Sequence, residues 1–448
     1  PGNIMVNDSE YRVIDWITAC KGDPAADVAR TTSSFDVGGG TGYLVAGASL
    51  NFADYSTLAE LKNNKVNEGV SGVNTDIKNT ASNKSYQFTA NASAQYVQSY
   101  KTNGGVGAAF AWGKIDNDTS AIIDGGKYLS LGDVENHAFT DITEISAVLG
   151  VGIANSNNGS SGAFEGAVGF NVFDNNVVAA IRNVEEMNAE TLSVKAYDTT
   201  ISETDTYEKY VNGKRFAETT VDNKTKLERY HFDTTGETYV GEAKNGMDQG
   251  NNNDYLTDHG NSIITAAVEV NARLGEAERN NVSIGMAGVY NSIDNDFTSE
   301  VTGSTINLSG NSDVNAESTT RAVAVAVGGN GASHGFAGGG SVGLNFLNND
   351  VVARVADSTL KTSQLAIQAF QRNTTANLVG QISISNLALG LSWAENYLNT
   401  NTNAYLNDSD VSNKDNGKTG VAIQAEDDAL MYAVAATGSG TFGQNKIS

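Results

Sequence analysis

Proline is nearly absent. The 448-residue chain has two, Pro1 and Pro24, and none beyond. Proline cannot donate to a sheet ladder, so a long proline-free stretch suits continuous strand pairing. Cysteine is scarcer still. Cys20 stands alone, which excludes an internal disulfide framework or a cysteine-built metal site. It reads as a half-buried small apolar side chain. Basic residues are few, 28 against 52 acidic ones, for a formal net charge of −24. That balance excludes nucleic acid or anionic lipid as a partner held by a basic patch. An acidic, self-repelling surface does keep a long extended protein soluble. We find no apolar run of membrane-spanning length, no signal peptide and no lipidation motif. The segment therefore reads as not membrane-inserted and as an internal stretch of a longer chain.

What the chain has is glycine and repetition. There are 48 glycines, and 40% hydrophobic residues argue against disorder. A motif of turn-x-x-(Ala/Ser)-x-(Ile/Leu/Val) recurs six times, with the small residue at Ala59, Ala121, Ala179, Ser299, Ala353 and Ala404. The spacings are 62, 58, 120, 54 and 51 residues, the long one reading as two units with an insertion. A period of about 50–60 residues without helical spacing predicts an all-β parallel β-helix solenoid. At about 25 residues per coil, each unit would supply roughly two coils.

Each unit alternates around its small residue. The inward triplets are Thr57/Ala59/Leu61, Thr119/Ala121/Ile123, Val177/Ala179/Ile181, Phe297/Ser299/Val301, Val351/Ala353/Val355 and Thr402/Ala404/Leu406. The intervening positions, Glu60, Lys62, Asp124, Arg182, Glu300, Arg354 and Tyr405, suit solvent. A closing strand also recurs as Leu192/Val194/Ala196, Leu365/Ile367/Ala369 and Val421/Ile423/Ala425. Stacking like residues about 4.8 Å apart would give each strand partners above and below. Asn348-Asn349-Asp350 reads as the turn before the triplet, and stacked asparagines can pair in ladders. Ala322-Val323-Ala324-Val325-Ala326-Val327, Gly38-Gly39-Gly40 and Gly338-Gly339-Gly340 are apolar or small throughout. They read as strands beneath another layer or against a neighbouring chain.

Residues 1–29 are expected to be an N-terminal segment with one amphipathic helix over 9–21. Val13, Trp16, Ile17 and Cys20 fall at i, i+3, i+4 and i+7, between a Ser9 cap and a Gly22 stop. Residues 30–199 and 262–448 are read as solenoid. Residues 200–261 break the period and read as an inserted β-hairpin or meander, with a turn at Val211-Asn212-Gly213-Lys214 and a loop over Gln249 to Asp254. Insertions on solenoids often carry binding. Tyr207, Tyr210, Tyr230, Tyr239 and Tyr255 are its candidate ligand-contact residues, with cross-strand aromatic pairing as the plainer reading.

Chemistry-bearing motifs are thin. Gly438-x-Gly440-x-x-Gly443 matches a dinucleotide fingerprint in letters, without a following helix. Gly328-Gly329-Asn330-Gly331 resembles a calcium nonapeptide, but Ser333 replaces the aspartate. Asp116-Asn117-Asp118 and Asp294-Asn295-Asp296 offer hard oxygen ligands for calcium, yet Asn348-Asn349-Asp350 fills the same slot with fewer charges, as turn chemistry would. His137, His231, His259 and His334 lie far apart in sequence. The outward carboxylates show no acid and base pair. No catalytic residue, metal site or cofactor is expected.

Gly343-Leu344-Asn345-Phe346-Leu347-Asn348-Asn349-Asp350-Val351-Val352-Ala353 and Gly169-Phe170-Asn171-Val172-Phe173-Asp174-Asn175-Asn176-Val177-Val178-Ala179 resemble the repeats of large filamentous adhesins. The similarity is to leukotoxin-like and filamentous-haemagglutinin-like surface proteins of anaerobic Gram-negative bacteria. It covers roughly residues 30–440 outside the insertion. The resemblance implies a right-handed parallel β-helix exported through an outer-membrane partner or barrel. We find neither an amino-terminal secretion domain nor a carboxy-terminal barrel. The expectation is a non-enzymatic extracellular rod that attaches to a protein or glycan on host cells or other bacteria. The alternatives are a subunit of an extracellular fibre or surface layer, self-associating end to end, and a polysaccharide-active β-helix enzyme or toxin passenger.

Overall fold

The computed structural model describes residues 3–7, 10–14, 31–37, 40–70, 74–99, 103–156, 161–198, 260–275, 281–413 and 419–441, with short strands between 205 and 225. Among these residues every regular element is a strand. The body is a parallel solenoid of six coils. Each coil has a long front strand, a short side strand and a long back strand, and at Ser333-His334 and Ser385-Asn386 the chain turns at a tip into the next coil.

The front strands are Gly40–Lys62, Asn103–Asp124, Ser161–Arg182, Asn281–Thr302, Gly335–Ala356 and Leu387–Asn407. The side strands are Lys65–Val66, Lys127–Tyr128, Glu186–Ala189, Thr305–Leu308, Thr359–Lys361 and Asp410–Ser412. The back strands are Thr75–Ser99, Leu131–Ser156, the interrupted Thr191–Tyr197 plus Asn261–Gly275, Asn311–Ala332, Gln364–Ile384 and Gly420–Gly440. Equivalent strands of successive coils pair in register, so three sheets run the length of the stack.

The sequence period is one coil rather than two. The long strands run 21 to 26 residues, so a single turn of the chain uses the whole unit. The 120-residue interval is likewise one coil. Front strand Ser161–Arg182 pairs directly with Asn281–Thr302, and the extra length is the insertion. The back strand breaks after Tyr197 and resumes at Asn261, and both pieces pair with the same two neighbours. Within the insertion, Tyr210–Val211 pairs antiparallel with Lys214–Arg215, as the Asn212-Gly213 signal predicts.

Three further expectations differ from the structure. Glu10–Ile14 is a strand, antiparallel to Asn3–Asn7, where a helix from residue 9 is expected. Alternating Tyr11 and Val13 satisfies a two-residue period as well as Val13 satisfies a helical one. Trp16, Ile17, Cys20, Gly22 and Pro24 lie outside the described residues. The solenoid itself begins at Gly40, because Thr31–Val37 folds back antiparallel on Gly40–Ala46. Asn348-Asn349-Asp350 is not a turn. It lies within front strand Gly335–Ala356, paired on both sides. Asn349 points inward, where Nδ2 donates to Asn373 Oδ1 at 2.9 Å. A satisfied inward amide removes the reason to turn.

The turn comes after the triplet. One residue per coil takes a left-handed backbone there: Asn63 (φ 52°), Asn183 (φ 55°), Asp357 (φ 51°) and Asp408 (φ 43°), alternating with Gly125 (φ 68°) and Gly303 (φ 56°). Asn, Asp and Gly are the residues that tolerate it. In the first five coils the backbone N–H still reaches the next coil, as in Gly125 N to Arg182 O at 2.8 Å and Asn183 N to Thr302 O at 2.9 Å. The ladder is therefore carried around the corner.

The core beside the side strands is the apolar one. The recurrent small residues stack in one column, Ala59, Ala121, Ala179, Ser299, Ala353 and Ala404. Ser299 meets the buried environment by donating to Val194 O at 2.8 Å. The back sheet carries its own column of six alanines: Ala81, Ala138, Ala196, Ala316, Ala369 and Ala425. Small side chains on both sheets let them approach closely, while Ile123, Ile181, Val301 and Val355 fill the wider end. Further toward the tips, inward asparagines bridge coils, among them Asn175 to Asn295 at 3.1 Å and Asn291 to Asn345 at 2.9 Å.

Candidate interaction surfaces

The outer front face carries two acidic columns. Asp54, Asp116, Asp174 and Asp294 stack in one, continued by Asn348 and Asn399; Asp118, Asp296 and Asp350 fall in the next. Partial burial raises the Asp174 carboxyl, and the charges of Asp116 and Asp294 raise it further. Burial followed by Asp294, Asp350 and Asp174 does the same to Asp296. Interleaved amides relieve the repulsion: Asn176 donates to Asp118 at 3.1 Å, Asn348 to Asp294 at 2.7 Å and Asn401 to Asp350 at 2.9 Å. These are the positions at which the sequence offers calcium ligands or turns. Both Asp-Asn-Asp segments lie inside strands, and their central Asn117 and Asn295 point inward in the asparagine ladders. Among the described residues no group of three His, Cys, Asp or Glu side chains gathers at metal-binding geometry.

Glu300, expected in solvent, is buried. Arg182 from the coil before and Arg354 from the coil after fold over it. Arg182 Nε donates to one carboxylate oxygen, and Arg354 Nε donates to the other at 2.7 Å. Arg354 Nη1 also donates to Tyr405 Oη at 3.2 Å. Glu300 draws inward Arg354 from its own column and Arg182 from the adjacent outward column, where Arg182 pairs with Thr302. Parity alone misses this, but an Arg in register with Glu300 in the coil after (Arg354), and one two positions further along in the coil before (Arg182), are the signal that would have found it.

Toward the tips the two long sheets form a flange of inverted polarity. Its interior buries Glu165, Glu269, Arg273, Gln95, Asn330 and Gln381. Ser93 and Gln95 donate to Glu165, the latter at 2.9 Å, and Asn330 donates to Glu269 at 3.3 Å. Burial raises the Glu165 carboxyl and, helped by Glu165's charge, pushes Glu269 up to about 8. Burial holds Glu144 well above the carboxylate range and lowers Arg273 to about 10. Glycine makes room opposite: a Cβ at Gly113 would strike the Glu144 carboxylate, and one at Gly285 that of Glu269. These acids are buried between the two sheets.

The flange's outer faces are apolar. On the back sheet, the outward positions from the column of Phe88, Ile145, Ile264, Val323, Ala376 and Tyr432 to the tips contain no charged residue. The front sheet is also charge-free from its Ala48, Phe110, Val168 and Trp393 column to the tips. An aromatic ladder borders the front flange. Trp112 meets Phe170 edge-on at 5.6 Å, Phe170 stacks on Tyr290 at 4.5 Å, and Tyr290 meets Phe346 at 5.4 Å. Residues 322–327, all apolar, lie in the back sheet with alternate side chains inside and out.

The remaining motifs fall partly in strands and turns and partly outside the described residues. Gly328 to Gly331 and Gly438 with Gly440 lie inside back strands and open no helix; Gly443 lies outside the described residues. His137 is paired with Ser193 at 3.0 Å, and burial, then the charge of Lys195, lowers its pKa. His334 sits in a tip turn. His231 and His259 are not among the described residues, nor are Tyr207, Tyr230, Tyr239, Tyr255 and the 249–254 loop. Tyr210 lies on the inserted hairpin strand, so the proposed tyrosine surface is not assembled by the described residues. A family model, the phosphotransferase enzyme family, matches residues 1–61. That stretch takes in all but the last residue of Gly40–Lys62, the first front strand, which is in register with the five that follow. No curated protein matches the chain, and no solved structure matches it.

Proposed function

We propose that this chain is a non-enzymatic, extracellular rod segment of a bacterial surface adhesin, which carries contact-making segments toward a host or bacterial surface. The observation that supports this reading best is the in-register pairing of six coils around one set of inward columns, unbroken from first to last in the front sheet. Such a body adds length in equal steps of about 4.8 Å per coil, and its titratable interior is buried rather than presented. The insertion leaves from one back strand and returns to it, so it can vary without altering the rod. The resemblance of the Gly-x-Asn repeats to filamentous adhesins points the same way. The test compares adhesion to cells and to a glycan panel by the full chain and by a chain lacking residues 199–259. Loss of adhesion on deletion supports the reading. Equal adhesion removes the insertion from the mechanism, and no adhesion by the full chain removes the adhesin reading.

A second reading, a subunit of an extracellular fibre, draws on the last coil. Leu387–Asn407 and Gly420–Gly440 each pair on one side only, and inward-facing Val421 and Ile423 stand exposed. Such an edge is a template for another chain. Ordered filaments of the purified protein in electron micrographs would favour it.

A further inference from the structure

We propose that the outer face of the back-sheet flange is a docking surface for a second copy of this chain, flange against flange. The face is large, flat and uncharged on a chain of net charge −24. Leu149, Val270, Val327, Leu378 and Ile382 are outward and between 37% and 58% exposed. A contiguous apolar surface of this kind marks an interaction site rather than ordinary exposure.

Its dimensions fit a dimer. Six strands at about 4.8 Å and about ten residues at 3.3 Å give a face on the order of 30 Å by 30 Å, or roughly 900 Å², enough for the about 800 Å² per partner of a standard stable interface. Alanine, valine and glycine keep it flat, as face-to-face sheet packing at about 10 Å requires. A shallow groove of about 400 Å³, lined by Ala90, Ala92, Ala147, Leu149, Ala266 and Val268, lies in the same face. It can receive larger side chains such as Leu378 from a partner. The front flange is less suited to flat sheet packing, because bulky Phe164, Met286 and Trp393 stand out from it.

Charge selects the occupant. Two copies repel across every acidic surface they present, and this face is where they can meet without opposing charges. With the two bodies on opposite sides, the same patch contacts itself, the commonest symmetry of dimers. A lipid bilayer is the competing occupant, since apolar-out and polar-in is also a membrane pattern. It is disfavoured because back strands Thr75–Ser99 and Gly420–Gly440 leave ladder edges that hydrocarbon cannot satisfy.

The test is sedimentation equilibrium of the full chain from 1 to 50 µM (about the range for interfaces of this size), at low and at high sodium chloride. The expected result is a dimer that tightens as salt screens the net charge. Leu378→Glu and Val270→Glu should each weaken association at least about tenfold, with the circular dichroism of the parent. The milder Leu378→Gln serves if a charged variant fails to fold, and Asn403→Glu, on the polar half of the front sheet, should leave the dimer intact. A monomer at every concentration and salt overturns the proposal. So does a dimer untouched by the folded flange variants, or a monomer that floats with phosphatidylcholine vesicles and loses flotation on Leu378→Gln.

Discussion

A residue here is constrained by its column more than by its neighbours in sequence. Ala179 touches Ala121 and Ser299 above and below, and the apolar core in front. Ala179→Leu should therefore lower stability by about 1–3 kcal/mol through overpacking, read as a shift in the urea midpoint at unchanged slope. Glu300→Gln leaves two guanidinium groups without their carboxylate and should cost about 1–3 kcal/mol; the same measurement checks it. The buried flange acids make a prediction of opposite character. Glu269 is held at about 8 in the fold against an ordinary 4.5, so the folded chain keeps a proton that the unfolded chain releases. This contribution is fully present below about pH 4.5 and is lost as pH rises toward 8, a change on the order of a few kcal/mol. Glu165 and Glu144 shift in the same direction. Glu269→Gln should flatten the fall in unfolding free energy between pH 5 and 8 relative to the parent; an identical slope would show that Glu269 is already ionised in the fold.

Strands and turns were legible where a pattern has one solution. The small-residue columns, the closing strands and the Asn212-Gly213 hairpin follow from alternation and turn chemistry. The coil length did not, because a repeat reports how often a position returns and not how many corners lie between. Nor did Asn348 to Asp350, whose composition is that of a turn until neighbouring coils supply ladder partners on both sides. The flange is the clearest case. Alternation in 262–274 shows that Ala266, Val268 and Val270 share a face and that Glu269 and Arg273 share the other. It does not say which face is inside, and here the usual assignment is reversed. Register does allow one construction that sequence alone could not suggest. Tyr197 pairs with Glu317 and Asn261 with Thr320, which leaves Ser318 and Thr319 opposite Asp198 and Gly260. Gly260 N already bonds Thr319 O at 2.9 Å, and Thr319 N bonds Asp198 Oδ1 at 2.7 Å. Joining Asp198 to Gly260 removes 61 residues (199 to 259) and shortens the 120-residue interval to 59, beside its neighbour's 58. The deleted chain should fold with parental strand content and a midpoint within experimental error, by circular dichroism and urea titration. A collapse in either would mean that the insertion holds coil three together.

At the scale of the molecule, the solenoid is a stack in which each coil meets only the coil before and the coil after. Stability then approximates a sum of coil terms and interface terms, unlike a globular domain whose single core fails as a whole. Truncation after Ser385 removes the last coil and exposes coil five as the new end. Coil five's interior, Leu347, Val351, Ala353 and Leu365 among it, is fully buried and would become as open as the present end. The expected outcome is a shorter folded rod, with a lower urea slope in proportion to the surface no longer buried and a modest loss in midpoint. The effect of Ala179→Leu, two coils away from the cut, should be the same in the long and short chains, since sites without shared partners add. A truncated chain that loses its strand signal altogether, or in which the Ala179→Leu effect changes by more than about 0.5 kcal/mol, would show that the six coils act as one cooperative core and that length cannot be added or removed a coil at a time.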